Sequence, residues 1–429
     1  MRILDRKEFM EICAKRRRRG NGSPEQESVV AGIIAEVRRR GDAAVKDYTR
    51  MYDGCELTSQ DFLVSRRELD EAWAGLGENM RRALEVAARE ISDYHRHQVP
   101  GDYSYVSSDG SHYQMVSRAL ESAGIYVPGG TAPYPSSVLM GVIPAVIAGV
   151  QDIAVFTPPG QKGRVAPEIL AAARLAGANR VYRLGGAQAI AAMAFGTESI
   201  IAVDKIVGPG NSYVTAAKRL VFGHVDIDML AGPSEILILA DSTSNPAFLA
   251  ADILAQAEHD VEATAVLVSL DRSMIGKVQA EIALQIEALA RREIAATSLA
   301  RNGWAVEAMD RGDAVRLANA YAPEHLELML SEPEALLAQV HNAGAVFLGP
   351  YTPEAMGDYV SGTNHVLPTG GTARFSSGLS VHSFRKTMSV SKLSKQRFDL
   401  LSPHGEIIAQ AEGLTAHFAS MQIRRRCLT

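Results

Sequence analysis

The stretch AVIAGVQDI, residues 145–153, decides the fold because it recurs as ARLAGANRV at residues 173–181. Both copies follow the pattern A-x-x-A-G-[VA]-x-x-[IV] and start 28 residues apart, a period that suits one helix plus one strand. The Ala-Gly pair in each copy is typical of a helix end that leads into a strand. The repeat therefore predicts consecutive helix and strand units of a parallel sheet.

Around the repeat, residues 124–240 alternate short branched-aliphatic runs with Ala-rich helical runs. Longer helical patterns lie at residues 24–120 and 246–293. The sequence predicts an α/β fold with two Rossmann-like parallel-sheet domains, an incomplete nucleotide fingerprint, a helical N-terminal segment and a small helical C-terminal tail. The predicted boundaries are an N-terminal segment at 1–23, a first α/β domain at 24–123 and 235–380, a second at 124–234, and the tail at 381–429.

The composition is typical of a soluble globular protein. Of the 429 residues, 47% are hydrophobic and 22% are charged, and the longest apolar run, residues 138–150, is too short to span a bilayer. The start of the chain has no apolar core of signal-peptide length, so we expect a cytoplasmic protein with no membrane partner. The net charge of -5 argues against a nucleic-acid partner, although basic runs at 15–19 (KRRRR) and 424–426 (RRR) have no assigned role.

Three glycine-rich loops follow predicted strands: YVPGG at 126–130, GGAQ at 185–188 and GPGN at 208–211. The last loop joins a strand predicted at 200–207 to a predicted helix, which is the arrangement of a nucleotide site. No G-x-G-x-x-G follows a strand, so the usual dinucleotide fingerprint is absent. Two interpretations stay open. The loops line one ligand site at the carboxyl ends of parallel strands, or the glycines only turn the chain.

The helical stretch FLAADILAQAEHD, residues 248–260, places Gln256 and His259 on one face. An imidazole and an amide oxygen can hold Zn²⁺ in an open site; the alternative is a helix that merely ends in a polar turn. The cysteines form no C-x-x-C pair, which argues against a thiolate metal site; they are Cys13, Cys55 and Cys427.

Glu324 and His325 stand side by side in APEHLEL, residues 322–328, where Pro323 can open a helix. A carboxylate and an imidazole can both move protons if the chain presents them to one cavity. The alternative is an ordinary solvated pair. Further residues with metal-binding or proton-transfer chemistry lie in the loop-rich stretch 349–378 and in the tail: Asp358, His365, Glu412 and His417.

Several motifs resemble those of the histidinol dehydrogenase family: QAEH at 256–259, APEHLEL at 322–328, GDYVSGTNHVLPT at 357–369 and AEGLTAH at 411–417. YVPGG, GGAQAIAA, GPGN and AGPSE add to the resemblance, which runs from about residue 25 to residue 418. It implies a zinc- and NAD-dependent enzyme that oxidises L-histidinol to L-histidinal and then to L-histidine, the final steps of histidine biosynthesis. A related branch that oxidises sulfonated propanediols on the same scaffold is the alternative.

The resemblance also implies roles for individual residues. One zinc ion per subunit would be held by Gln256, His259, Asp358 and His417. NAD would contact Tyr126, Gln188 and Asn211, in the second domain. The substrate would contact all four zinc ligands. It would also contact Ser234, Glu324, His325, His365 and Glu412. His325 would remove protons in both oxidations and Glu324 would activate water for the second.

The family resemblance implies a homodimer in which Glu412 and His417 reach the partner's site. A tail that folds back on its own body is the alternative. The cysteines lie outside the motifs, which favours a non-covalent aldehyde hydrate over a cysteine adduct. A different class of function also fits the residues alone, namely a non-catalytic nucleotide-binding module stabilised by zinc.

Overall fold

The computed structural model describes residues 1–18, 23–129, 133–160 and 163–427. Gly130 of the first glycine loop, Arg19 of the basic run, residues 20–22 of the predicted N-terminal segment and the side chain of Cys427 lie outside the described residues. The chain forms two compact units, one made of Met1–Gln98 and Leu120–Phe384 and the other of Val99–Ala119 and Arg385–Thr429. In the described ranges, every helix is too short or too polar to cross a bilayer.

The strands are short, and most are buried. In chain order they are β1 (Arg2–Leu4), β2 (Tyr103–Val106), β3 (His112–Ala119), β4 (Ser122–Tyr126), β5 (Asp152–Phe156), β6 (Arg180–Tyr182), β7 (Lys205–Val207), β8 (Asp226–Ile227), β9 (Glu235–Ala240), β10 (Thr264–Ser269), β11 (Gly303–Glu307), β12 (His325–Met329), β13 (Ala345–Leu348) and β14 (Arg385–Lys392).

The helices carry the apolar faces that cover the sheets. They are α1 (Arg6–Arg18), α2 (Pro24–Arg40), α3 (Asp42–Asp53), α4 (Arg66–Gly75), α5 (Glu78–Arg96), α6 (Pro135–Ala148), α7 (Pro167–Ala176), α8 (Gly186–Phe195), α9 (Ser212–Val221), α10 (Pro246–Ala257), α11 (Arg272–Gln285), α12 (Arg292–Asn302), α13 (Arg311–Tyr321), α14 (Glu334–Leu337), α15 (Glu354–Tyr359), α16 (Lys395–Ala411) and α17 (Thr415–Cys427).

The first sheet has the order β1-β11-β10-β9-β12-β13, and each neighbouring pair is parallel. Alternate side chains point to opposite faces, as strand geometry requires. Leu237 and Leu239 face a core formed with α1 and α13, whereas Ile236 and Ile238 face α10, α11 and α12. The strand order reverses between β9 and β12, so these two central strands are neighbours although they are far apart in the chain.

The second sheet has the order β6-β5-β4-β7-β8 and is also parallel. Its order reverses between β4 and β7, and a crevice at such a switch point is where open α/β sheets bind ligands. Two buried clusters cover its faces, one with α5, α6 and α7 and the other with α2, α3, α8 and α9. Residues 24–96, which we predicted to join the first α/β domain, therefore pack beside the second sheet.

The predicted α/β class with two parallel sheets and a helical tail is confirmed, but some local predictions are wrong. Pro323 opens no helix, because β12 begins at His325 and pairs with both β9 and β13. Of the strand predicted at 200–207, only Lys205–Val207, which is β7, forms a strand. The predicted tail begins with a short 3-10 helix, Val381–Phe384, but continues with β14 rather than an α-helix. β14 pairs antiparallel with β3 over its whole length and completes the small sheet β14-β3-β2 of the second unit.

Candidate active site

Glu324 and His325 lie at the amino end of β12, against the amino end of β9. The backbone N–H of Glu235 donates to Glu324 Oε2 at 2.9 Å, and the backbone carbonyl of Glu235 accepts from His325 Nδ1 at 3.1 Å. Both side chains are buried, with 6% and 3% of their surface exposed. One residue of the neighbouring strand therefore holds both members of the predicted acid–base pair through its main chain.

The surroundings of His325 determine which ring nitrogen carries the proton. The carbonyl of Glu235 can only accept, so Nδ1 must be the N–H donor. Other oxygens also approach Nδ1: Gln256 Oε1 at 3.3 Å, Glu354 Oε1 at 3.5 Å and Glu324 Oε2 at 3.8 Å. In the described residues Nε2 is buried without a hydrogen-bond partner, and Asp358 Oδ1 lies 3.9 Å from it. The free lone pair of Nε2 is thus available as a base.

Burial also sets the charge of the pair. It lowers the pKa of His325 to about 4, although the charge of Asp358 and the bond to Glu235 oppose the shift. His325 is therefore neutral at pH 7, as a base must be. Burial raises the pKa of Glu324 well above its ordinary range; the N–H of Glu235 opposes this shift, and the charges of Glu235 and Asp358 add to it.

A group of possible metal ligands adjoins this pair. Ligand atoms of His259, Glu354 and Asp358 all lie within 4.8 Å of one another. His259 follows the end of α10 and is exposed, whereas Glu354 and Asp358 lie four residues apart on one face of α15. Gln256, near the end of α10, is fully buried, and its Nε2 has no partner in the described residues.

The donor set fits a zinc ion in an open site. It offers imidazole, amide and carboxylate donors, and two of its buried atoms, Gln256 Nε2 and Glu354 Oε2, have no hydrogen-bond partner among the described residues. An amide is assigned by its hydrogen bonds, so either end of Gln256 can face a ligand. Glu354 was not among the predicted site residues, because it lies in the stretch interpreted as loop. The E-x-x-x-D spacing after Pro353 was the signal that could have revealed it.

The other predicted substrate residues occupy different positions. His365 Nδ1 donates to the backbone carbonyl of Asp358 at 2.9 Å, and its Nε2 accepts from the Ser137 hydroxyl at 3.3 Å. Ser234 directly precedes β9 and is half-buried. Glu412 and His417 belong to the second unit, at the end of α16 and in α17, and both are exposed.

A cavity of about 1240 Å³ lies at the carboxyl ends of β4, β6 and β7, and the three predicted NAD residues line it. The Tyr126 hydroxyl accepts from the Gly186 N–H at 3.1 Å, and burial raises the pKa of Tyr126 to about 12. Gln188 Nε2 lies 3.4 Å from Asp53 Oδ2, and its Oε1 has no partner among the described residues. Asn211 Oδ1 caps α9 by accepting from the N–H groups of residues 213 and 214.

The cavity suits an anionic cofactor. The N-terminus of α8 faces it through Gly186, and helix N-termini attract phosphate groups. Asp260 also lines the cavity, and it directly follows His259 of the metal-ligand group. The cavity therefore extends to the end of α10, where the possible ligands lie.

Known proteins resemble this chain over nearly its whole length. The family model described as histidinol dehydrogenase matches residues 16–425. A histidinol dehydrogenase from Moorella thermoacetica is 49% identical over 395 residues, which are 92% of this chain and 93% of that protein. One from Bacillus subtilis is 48% identical over 405 residues, 94% of each chain. The crystal structure of a histidinol dehydrogenase from Elizabethkingia anophelis superposes with a TM-score of 0.94 at 37% identity, covering 100% of this chain and 98% of that one.

Proposed function

Since this chain belongs to the histidinol dehydrogenase family, an oxidoreductase family, we propose that it oxidises L-histidinol through L-histidinal to L-histidine. NAD is the hydride acceptor and Zn²⁺ the resident metal of this proposal. The observation that carries it is the buried Nε2 of His325, which has a free lone pair and lies beside the group of His259, Glu354 and Asp358.

His325 acts in both oxidations. Its Nε2 accepts the hydroxyl proton of the alcohol while the carbon-bound hydrogen leaves as hydride, and this produces the aldehyde. The Nδ1–H bond to the carbonyl of Glu235 keeps the ring oriented as it becomes charged. In the second oxidation, Nε2 accepts a hydroxyl proton of the hydrated aldehyde, and a second hydride leaves. The overall reaction consumes one water and two NAD for each histidinol.

Glu324 activates the water that adds to the aldehyde. It lies beside His325, with 3.8 Å between its Oε2 and the imidazole Nδ1. Water activation needs the carboxylate form. Burial raises the pKa of Glu324 and disfavours that form, and the N–H of Glu235 opposes this shift. A bound zinc ion, held by Gln256, His259, Asp358 and a histidine of the tail, would supply positive charge and orient the substrate.

A cysteine adduct has little support. Cys13 and Cys55 are buried, and burial raises the pKa of Cys13 to about 11. A neutral buried thiol is a poor nucleophile. These positions support the hydrate route.

We further propose a cytoplasmic homodimer in which Glu412 and His417 enter the partner's site. The support comes from the second unit, whose strand β14 and helix α16 expose many apolar side chains, among them Met388, Val390, Leu400, Ile407 and Ile408. Apolar surfaces of this kind on a small sheet and helix are typical of subunit contacts.

The test follows reduced cofactor by its absorbance. With histidinol and NAD, the purified protein should form two reduced cofactors per histidinol, and His325→Asn should abolish both, while His341→Asn, an exposed histidine, should behave as wild type. A sulfonated propanediol tested in parallel should give none. No turnover of histidinol by the zinc-loaded wild type, or faster turnover of the propanediol, would overturn the proposal.

A further inference from the structure

One arginine of the basic run with no assigned role is half-buried against Glu235, the residue that holds the acid–base pair. Arg16, near the end of α1, donates to both carboxylate oxygens of Glu235 at 2.8 Å. Its guanidinium also lies 3.9 Å from the ring centre of Tyr321 and donates to that hydroxyl at 3.0 Å. The Arg16 side chain is 19% exposed and that of Glu235 is 5% exposed. Its neighbour Arg17, by contrast, is exposed.

Both partners of Arg16 are linked to the acid–base pair, Glu235 by hydrogen bonds and Tyr321 along the chain. The main chain of Glu235 holds Glu324 and His325 through the two bonds described above. Tyr321 ends α13, and only two residues separate it from Glu324. Arg16 therefore contacts both the start of β9, which holds the pair, and the end of α13, which leads into it.

The positive charge of Arg16 stabilises the buried carboxylate of Glu235. A buried carboxylate that loses its cation is strongly unfavourable, so it must move, take up a proton or admit water. The backbone N–H of Gly370 donates to Glu235 Oε1 at 3.2 Å, but this is a neutral contact. A displacement of the Glu235 carboxylate that shifts its main chain also moves the carbonyl that fixes the tautomer of His325.

We propose that Arg16 is a positioning residue that, through Glu235, holds His325 in the Nδ1–H tautomer and Glu324 beside it. The kinetic part of this inference rests on the proposed function. The tautomer part does not, because it concerns the ring of His325 in the absence of substrate.

The second sheet offers a matched control. Arg180 donates to both oxygens of Asp152 and, at 3.2 Å, to the hydroxyl of Tyr182, over whose ring it also lies. This is the same set of groups as around Arg16, but it touches neither Glu324 nor His325. The Asp152 side chain is 34% exposed, against 5% for Glu235, so both Arg16→Met and Arg180→Met should lower thermal stability, and Arg16→Met should lower it more.

Only Arg16→Met should disturb the acid–base pair. We expect kcat of both oxidations to fall on the order of 10- to 100-fold, the scale of small misplacements in an active site. KM for NAD and bound zinc should change less than about twofold, since neither site contacts Arg16. Arg16→Lys, which keeps the charge but not the paired donors, should recover part of kcat.

The decisive measurement needs no substrate. Nitrogen-15 NMR of histidine-labelled protein distinguishes the two tautomers, and His325→Asn identifies the His325 signals. Wild type and Arg180→Met should show one Nδ1–H tautomer, and Arg16→Met should show a mixture; Arg16→Lys repeats the measurement if Arg16→Met does not fold. A single unchanged tautomer in both Arg16 variants overturns the inference. An inactive wild type with the expected NMR result would instead overturn only the proposed function.

Discussion

At His325 a single backbone carbonyl determines which ring nitrogen carries the proton. Because the carbonyl of Glu235 can only accept a hydrogen bond, Nδ1 keeps its proton and Nε2 is left as the base. Burial then holds the ring neutral, with its pKa near 4. Glu324 lies beside the ring but is bonded to the N–H of the same residue, Glu235. The two side chains therefore offer different groups, a neutral imidazole and a carboxyl group, hydrogen-bonded to the same residue of β9.

The two members of the pair should separate kinetically. His325→Asn is expected to slow alcohol and aldehyde oxidation alike, while Glu324→Gln should mainly slow the aldehyde step, by about 10²- to 10⁴-fold. Single-turnover traces started from histidinol and from histidinal measure the two steps. Equal slowing of both steps by Glu324→Gln, with zinc and NAD still bound, would falsify this division of roles.

Glu354 should contribute to metal binding. Its carboxylate lies within 4.8 Å of the ligand atoms of His259 and Asp358, and one of its buried oxygens has no partner among the described residues. We expect Glu354→Gln to weaken zinc affinity about 10- to 100-fold, as measured by competition with a chromogenic chelator. Glu258→Gln, one residue before His259 but outside the ligand group, is the control. Unchanged affinity in Glu354→Gln would exclude this role.

At the scale of elements, the turn between β7 and α9 must let the chain pass close to β4. Gly208 has φ +114°, and a Cβ there would lie 2.0 Å from the carbonyl oxygen of Tyr126. Only glycine satisfies both conditions. The close approach brings the Asn211 turn to the switch point of the second sheet, beside the cavity that Asn211 and Tyr126 line.

Gly208→Ala should therefore impair NAD binding. The added methyl group must push β7 and β4 apart, so we expect KM for NAD to rise at least about tenfold, with a lower melting temperature. Gly223→Ala is the matched control, because Gly223 has φ +98° but open space around its Cβ position. If both variants change KM for NAD equally, strain at a positive φ rather than the close approach is responsible.

The contact between α10 and β12 should make stability depend on pH. Asp252 and Glu327 share a hydrogen bond; burial raises the pKa of Asp252 to about 6, and burial together with the charge of Asp252 raises that of Glu327. Raised carboxyl pKa values stabilise the fold below the unfolded value near 3.8 and lose that contribution as pH rises through about 6. Metal-free protein should therefore lose stability between pH 5 and pH 8.

Asp252→Asn should reduce this loss, since the asparagine can hydrogen-bond to Glu327 without adding a second charge. Urea unfolding in the presence of a chelator, at pH 5 and pH 8, measures it, with the exposed Glu56→Gln as control. The expected result is a smaller drop in the free energy of unfolding for Asp252→Asn alone. An identical drop in all three proteins would contradict the assignment.

At the scale of the molecule, the two candidate sites of the large unit lie at opposite strand ends of its two sheets. The cavity lined by Tyr126, Gln188 and Asn211 lies at the carboxyl ends of β4, β6 and β7, where open sheets bind ligands. The acid–base pair lies at the amino ends of β9 and β12, where α10 also ends after running back along the first sheet.

Shared sites in a dimer can be tested by complementation. His259→Ala and His417→Ala should each be inactive alone, but their heterodimer should contain one site with both histidines intact and regain up to about half of the activity. Coexpression with two affinity tags isolates the heterodimer, and activity per zinc-loaded dimer is the readout. A verified heterodimer without recovered activity would mean that each tail serves its own chain.

The sequence by itself determined the features that depend on neighbours along the chain. The 28-residue repeat specified helix and strand units, and both Ala-Gly pairs do end helices, α6 and α7. Helical spacing predicted α10, which holds Gln256 but ends at Ala257, so His259 lies just beyond the helix. The family motifs supplied the expected site residues, including the three that line the cavity.

The tertiary structure alone decided what depends on distant pairing. HLELM became a strand because β9 and β13 supply hydrogen bonds on both sides, and this pairing outweighs the local preference of a proline-led turn for a helix. The same pairing brought Glu235 to His325 and fixed its tautomer, while α1 brought Arg16 to Glu235 across 219 residues of chain. Such contacts produce no periodic pattern in the sequence, because the two partners belong to elements that are far apart in the chain. They could not be predicted from neighbouring residues.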